Sequence, residues 1–215
     1  MKPTKVLAIS DQVVPIIESP RIRERFGDVA MVLGCGDLPY LYMEYVATML
    51  SLPCLYVHGN HDHPQHLSNG QVLTDPGGWE NMDGRVVQVK GWLVGGLEGS
   101  RRYRPKAPYQ YTEQEIRYKI WRMGFSMLLN RLRNGRYLDI LITHAPPCGI
   151  HDAEDACHQG FQALLNFMER FRPRYLLHGH VHRYADQEWQ TQYLDTEVIN
   201  VFPSRVIELR PHGHK

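Results

Sequence analysis

The chain alternates short, mostly apolar runs with stretches of mixed polarity. VLAIS (Val6 to Ser10), VAMVLGCG (Val29 to Gly36), CLYVHG (Cys54 to Gly59), LDILIT (Leu138 to Thr143) and YLLHG (Tyr175 to Gly179) are the clearest. Runs of roughly four to eight aliphatic and β-branched residues bounded by turn signals read as buried strands. In the first third, strands near 6–10, 29–33 and 55–58 alternate with helices near 21–26 and 41–50. That alternation argues for parallel strands with helices packed on the sheet. Residues 64–83 are polar and rich in Gly and Pro, so they read as loop. Two short strands, 85–89 and 92–97, follow.

Thr112 and Glu115 have the spacing of a capping box. Beyond them Ile116, Ile120, Trp121, Phe125, Leu128, Leu129 and Leu132 recur at helical spacing, and Asn134-Gly135 supplies the stop. The pattern predicts a long amphipathic helix whose aromatic residues belong to the core. A strand at 138–143, a helix at 159–170 and a strand at 175–178 come next. Segments 189–193, 197–201 and 205–209 predict a β-meander. With no repeat, low-complexity tract or linker, the expectation is one domain over 1–215 with two sheets covered by helices.

Composition narrows the function classes. A chain of 215 residues can bury a sizeable core in one domain. A net charge of +1 gives no global electrostatic case for a nucleic-acid polymer or an anionic membrane. No apolar stretch approaches a membrane span. The start, 1–5, is positively charged, but the apolar run behind it meets Asp11 too soon for a signal peptide. Cys35, Cys54, Cys148 and Cys157 show no CxxC pairing, which fits reduced thiols and a cytoplasmic location.

Histidine is the compositional outlier, with 12 residues and none before His58. Imidazole is the commonest metal ligand and the usual acid or base near neutrality, and placement gives the abundance meaning. The five apolar runs stop at Asp11, at Asp37, at Asn60 and His61, at His144, and at His180 and His182. In open α/β sheets the ligand crevice lies outside the carboxyl ends of the strands. Donors at all five ends predict one polynuclear metal site.

Asp11, Asp37, Gly59-Asn60-His61-Asp62, His144 and Gly179-His180-Val181-His182 occur in this order. The set resembles the calcineurin-like metallophosphoesterase superfamily, whose pattern is D-x-H, GD, GNH[DE], H and GHxH. His144-Ala145-Pro146-Pro147-Cys148-Gly149 further resembles the HxPPxG stretch of the branch that includes class III cyclic-nucleotide phosphodiesterases and metallophosphoesterase-domain proteins. The resemblance implies a four-layer α/β/β/α sandwich of two mixed sheets flanked by helices. It implies two divalent metals, one held by Asp37, Asn60, His144 and His180, the other by Asp11, Asp37 and His182. Two such ions about 3.5–4 Å apart can clamp the attacking and leaving oxygens of an in-line displacement. A hydroxide shared between them would attack phosphorus, with His61 as general acid and Asp62 orienting its imidazole. Glycines 36, 59 and 179 are expected to let the backbone turn sharply on leaving each strand.

One position departs from the family. Where the first motif reads D-x-H, this chain reads Asp11-Gln12-Val13. Valine cannot ligate, so the Asp11 metal loses a nitrogen donor. The expectation is a retained but weakened second metal, with Gln12, water or substrate as possible replacements and a one-metal protein as the alternative. Losing an imidazole leaves an oxygen-rich site, which tilts the ions toward Mn²⁺ or Fe²⁺/Fe³⁺ rather than Zn²⁺.

The remaining histidines carry weaker expectations. His58 and His178 read as supporting or core groups, and His63 and His66 as loop surface. His151, Asp152, Asp155 and His158 form a polar cluster that is either helix-capping or pocket wall. His212 and His214 belong to a frayed tail. The segment from Arg101 to Lys106 with Tyr109 and Tyr111 is locally basic and aromatic. It reads either as solvated loop or as a substrate-recognition loop, with Arg101, Arg102, Tyr109 and Tyr111 as the candidates. The sequence therefore predicts a metal-dependent hydrolase of a small phosphodiester or nucleotide. The alternatives are a phosphomonoesterase on the same site and a non-catalytic metal-binding scaffold.

Overall fold

The structure, a computed structural model, describes residues 3–184 and 187–210, so the expectation for His212 and His214 lies outside the described residues. Its first part runs β1 (Thr4–Ile9), α1 (Ile22–Phe26), β2 (Met31–Gly34), α2 (Tyr40–Leu50) and β3 (Cys54–Tyr56), and the three strands are parallel. The stretch read as loop contains small elements. β4 (Gln65–His66) and β5 (Val72–Leu73) form an antiparallel ribbon, and β6 (Glu80–Asn81) adds to the edge of β3. Two-residue strands bury too little to leave a hydrophobic signature, so the sequence pattern could not show them.

β7 (Val86–Val89), β8 (Trp92–Leu97), β9 (Ser100–Arg101), β10 (Gln110–Tyr111), α3 (Glu113–Asn134), β11 (Ile140–Thr143), α4 (Gln162–Phe171) and β12 (Tyr175–His178) follow. β13 (Gln190–Tyr193), β14 (Thr196–Asn200) and β15 (Ser204–Leu209) complete the order. The strands assemble into one sheet ordered β15-β1-β2-β3-β6 and another ordered β13-β14-β12-β11-β8-β7. The expected meander is only half formed. β13 pairs with β14, but β15 crosses to the other sheet and pairs antiparallel with β1. β14 lies between β12 and β13, so both of its own edges are already paired and β15 cannot continue the meander on it.

Alternation along the strands builds the layers. Val6, Ala8, Met31, Leu33 and Leu55 face Trp92, Val94, Ile140, Ile142 and Leu177 between the sheets. The intervening residues Leu7, Ile9 and Val32 pack outward against Ile22, Tyr40, Met43 and Val46. Leu93, Leu141, Leu176 and Val198 likewise meet Ile116, Met123, Met127, Leu164 and Phe167. Helices thus cover the outer face of each sheet, giving the four-layer α/β/β/α sandwich. Burial on both faces is why the strands read as continuous apolar runs.

The long helix forms with its capping box, and Gly135 ends it in a left-handed conformation. Its buried face is only partly the predicted one: Ile116 is buried and Ile120 packs on the core, but the aromatic stripe does not. Ile116, Met123 and Met127 seal against the sheet, whereas Trp121 and Phe125 are each 72% exposed and Leu128 and Leu132 are also exposed. At about 100° per residue the exposed stripe lies on the side of α3 opposite the buried one. The helix is apolar on two faces, and periodicity alone cannot say which of two stripes meets the sheet.

Candidate metal centre

Residues from the five strand-end segments lie close together, and the backbone shows why particular residues are needed there. Asp11, Asp37 and His180 all have positive φ (62°, 57° and 67°). Asp and His tolerate the left-handed region better than most residues, and such conformations concentrate at functional sites. Of the three glycines expected to permit sharp turns, Gly36 has a positive φ of 89°. Gly59 and Gly179 serve close approach instead: a Cβ would lie 2.0 Å from Asp37 Oδ1 at Gly59 and 2.4 Å from Asp11 Oδ2 at Gly179.

His144 is fully buried at the centre. Its Nδ1 donates to the Cys35 carbonyl at 2.7 Å, leaving Nε2 aimed at Asn60 Oδ1 (3.0 Å) and Asp37 Oδ2 (3.2 Å). Asp37 Oδ1 accepts the His61 backbone N–H at 2.8 Å, so the carboxylate is held from both sides. Asn60 is oriented by its amide N–H, which reaches the Tyr103 hydroxyl at 3.2 Å. Donor atoms of Asp37, His144 and His180 all lie within 4.8 Å of one another. These are the carboxylate and imidazole donors that divalent transition metals take, and the carbonyl on His144 Nδ1 fixes the tautomer whose Nε2 can ligate. The residues fit a bound cation.

The electrostatics point the same way. Burial opposes ionisation of Asp37, but His144 and the His61 N–H overcome it and hold its pKa at about 2. Burial likewise opposes charge on His144, yet the neighbouring Asp37 and Asp11 raise it to about 9. Without a metal, a proton on His144 carries the positive charge the carboxylates require. His180 is driven down to about 3 by burial and by His144, so it remains a neutral donor. Asp11 is raised, chiefly by burial.

The second set of donors is looser. The Asp11 carboxylate accepts the His180 backbone N–H at 3.1–3.2 Å, and His182 Nε2 lies 3.9 Å from Asp11 Oδ1. The His182 ring is exposed and stacks on Phe202 at 4.2 Å. Val13 is half-buried and packs with the core cluster under α1 and α2, while Gln12 is exposed. Neither lines the pocket of about 320 Å³ formed by Asp11, Asp37, Asn60, His61, Tyr103, Cys157, His158, His180 and His182.

His61 is exposed in that pocket. Asp62 is buried and accepts the backbone N–H groups of Gly59 (2.8 Å) and Asp37 (3.1 Å), so its bonds shape the loop that carries His61. Burial and the Asp37 charge raise its pKa to about 6.

The basic aromatic segment reaches the pocket through Tyr103, a residue not singled out in the sequence. Arg102 instead makes a two-pronged bond to Glu115 in the helix cap, 2.9 Å to each oxygen. Arg101 is half-buried on β9. Tyr109 stacks on His58 at 4.4 Å, and Tyr111 donates to buried Glu98. Glu98 also receives His58 Nδ1 (3.1 Å) and Lys119 Nζ (2.9 Å). Despite its burial, these partners hold its pKa at about 2. This cluster braces the strand end beside Asn60. Glu98 follows an apolar strand, and its long-range partners leave no local sequence signal.

His178 is fully buried and bonded at Nδ1 to the Gly179 carbonyl (3.0 Å), while its Nε2 meets His151 Nδ1 (3.0 Å). The predicted polar cluster therefore splits. His151 joins His178, Asp152 accepts the Gly160 N–H at 3.1 Å, and Asp155 and His158 gather around Cys157.

A family model described as calcineurin-like phosphoesterase matches residues 20–184, beginning after Asp11 and Val13. An uncharacterised protein of Methanocaldococcus jannaschii is 26% identical over 195 residues, covering 85% of this chain and 82% of that protein. The crystal structure of TT1561 from Thermus thermophilus superposes with a TM-score of 0.58 at 16% identity, covering 93% of this chain and 89% of that one. GAP50, described as the anchor in the inner membrane complex of Plasmodium, gives 0.53 at 13% identity, covering 92% and 71%.

Proposed function

Because the chain belongs to the calcineurin-like phosphoesterase family, whose members are metal-dependent phosphoester hydrolases, we propose that it hydrolyses a small phosphodiester or nucleotide. The observation that carries the reading is the arrangement around His144: Nδ1 committed to a carbonyl, and Nε2 facing Asp37 and Asn60 within a cluster that also includes His180. Asp37, Asn60, His144 and His180 would hold one divalent ion, and Asp11, Asp37 and His182 a second. Bound ions of this kind activate water and neutralise charge on a phosphoryl group.

The chain's own groups define the rest. Asp37 is fixed at both oxygens, so it presents a preset carboxylate between the two donor sets. His61 lines the pocket on a loop fastened by Asp62, where it would give a proton to a leaving oxygen. With cations held by Asp11, Asp37 and the histidines, the pocket of about 320 Å³ would suit a small anion. The even charge balance argues against a polymeric nucleic acid. Mn²⁺ or Fe²⁺/Fe³⁺ fits the oxygen-rich second set. A phosphomonoester is the near alternative.

A scaffold reading has one observation in its favour, the absence of a donor at Val13. An aryl phosphodiester and its monoester, assayed with Mn²⁺ against chelator, separate the readings. Turnover of the diester that chelation abolishes supports the proposal. No turnover of either ester, with stability unchanged on chelation, would favour the scaffold. His61→Ala should depress turnover at least tenfold with metal content intact.

A further inference from the structure

Two donors lining the strand-end pocket have no part in the phosphoesterase reading: Cys157 and His158. Asp155 converges with them. Its Oδ1 lies 2.9 Å from Cys157 Sγ and 2.9 Å from His158 Nδ1, its Oδ2 is also 2.9 Å from that nitrogen, and Cys157 Sγ is 3.3 Å from it. Donor atoms of all three residues fall within 4.8 Å of one another. The loop holds them in place, with the Cys157 and His158 backbone N–H groups bonded to Asp155 Oδ1 and the Ala153 N–H to the His158 carbonyl.

We propose that Asp155, Cys157 and His158 form a separate binding site for a soft divalent cation, of which Zn²⁺ is the best match, at the rim of the pocket. The donor chemistry distinguishes it from the centre at Asp37. One thiolate, one imidazole and one carboxylate suit Zn²⁺, whereas the strand-end set offers no sulfur. Zinc bond lengths place the donors of a tetrahedral site roughly 3.3–3.5 Å apart. The observed 2.9–3.3 Å therefore needs an expansion of only a few tenths of an ångström. Three protein donors leave a fourth position open. Because Cys157 and His158 line the pocket, that position is available to a ligand within it.

Binding is balanced by proton loss: the cation replaces the thiol proton now shared with Asp155, and that proton leaves to solvent. The two centres also share a wall. His180 Nε2 bonds the Cys157 carbonyl at 2.6 Å, and the His158 and His180 rings lie 5.1 Å apart. The site is independent of the reaction performed at the Asp37 centre, so loss of one reading leaves the other standing.

The test is titration of the whole metal-free chain with Co²⁺, followed by its thiolate charge-transfer absorption in the near ultraviolet. The expected result is a band that saturates at one thiolate-bound ion per chain and is displaced by Zn²⁺. It should be abolished by Cys157→Ser, retained in Cys148→Ser and Asp37→Asn, and weakened at least tenfold in affinity by His158→Ala. Mn²⁺ uptake at the Asp37 centre of Cys157→Ser shows that this variant is folded. No band in the wild-type chain would overturn the proposal. So would a band that persists in Cys157→Ser, or one lost in Asp37→Asn.

Discussion

The Asn60 amide donates to the Tyr103 hydroxyl at 3.2 Å, while its other end, Oδ1, faces His144 Nε2 at 3.0 Å. With nitrogen turned to Tyr103, Oδ1 is presented to the donor cluster. Groups that orient a ligand typically contribute 10–100-fold in metal affinity. Tyr103→Phe should therefore weaken Mn²⁺ binding by about tenfold without loss of fold, as measured by calorimetric titration. Unchanged affinity would show that His144 alone suffices to orient the amide.

Metal uptake should release a proton. His144 is raised to about 9 against the opposing effect of burial, so it is protonated at neutral pH in the metal-free protein. A metal requires the neutral imidazole. Affinity should rise about tenfold per pH unit below pH 9, with roughly one proton released per ion in buffers of differing ionisation enthalpy. The same shift fixes a sign for metal-free stability. A pKa raised above the ordinary value of about 6.5 gives stability that is complete below pH 6.5 and lost as pH rises through 9. Proton-free binding at pH 7 would contradict both expectations.

His151 should make the fold acid-sensitive in the opposite sense. Burial and Arg183 lower it to about 4, and it is bonded to His178 and Thr191. The unfolded chain takes up this proton near pH 6.5, so stability falls as pH drops from 6.5 to 4, by about 3 kcal/mol in all. His151 has a φ of 60°, and Asn also tolerates that region. Urea unfolding of His151→Asn should show a shallower pH slope in this window than wild type. An identical slope would exclude His151 as its source.

Gly124 sits inside α3, where an added Cβ would meet nothing within 4 Å. Glycine costs about 1 kcal/mol relative to alanine in a helix interior. Gly124→Ala should raise the urea midpoint by the equivalent of about 1 kcal/mol. A loss of stability would mean that this face of α3 is covered in solution.

The strand ends are legible in the sequence because each couples a local apolar run to a donor at its carboxyl end. Asp11, Asp37, Asn60, His144 and His180 are brought together for that reason. Their supporting groups are harder to see. Glu98 and Tyr103 act through partners distant along the chain, and Cys157 gains meaning only when the loop folds Asp155 and His158 around it. Trp121 and Phe125 depart from expectation for a different reason: helical spacing reports a face but not what the face meets. β15 departs because a strand's sequence does not disclose which neighbouring strand keeps an edge for it.

The pairing of β1 with β15 has a consequence for how the centre comes into being. Thr4 is registered against Leu209 and Ile9 against Ser204, and the Ser10 N–H just before Asp11 bonds the Pro203 carbonyl. The strand that carries Asp11 therefore keeps one edge open until nearly all of the intervening chain has left the ribosome. Closing so long a loop is slow relative to forming local structure. The parallel unit of β1, β2 and β3, which aligns Asp11, Asp37 and Asn60 through neighbouring segments, needs only short-range closure, whereas the outer edge of β1 and the Asp11 contact to the His180 N–H wait on the distant end of the chain.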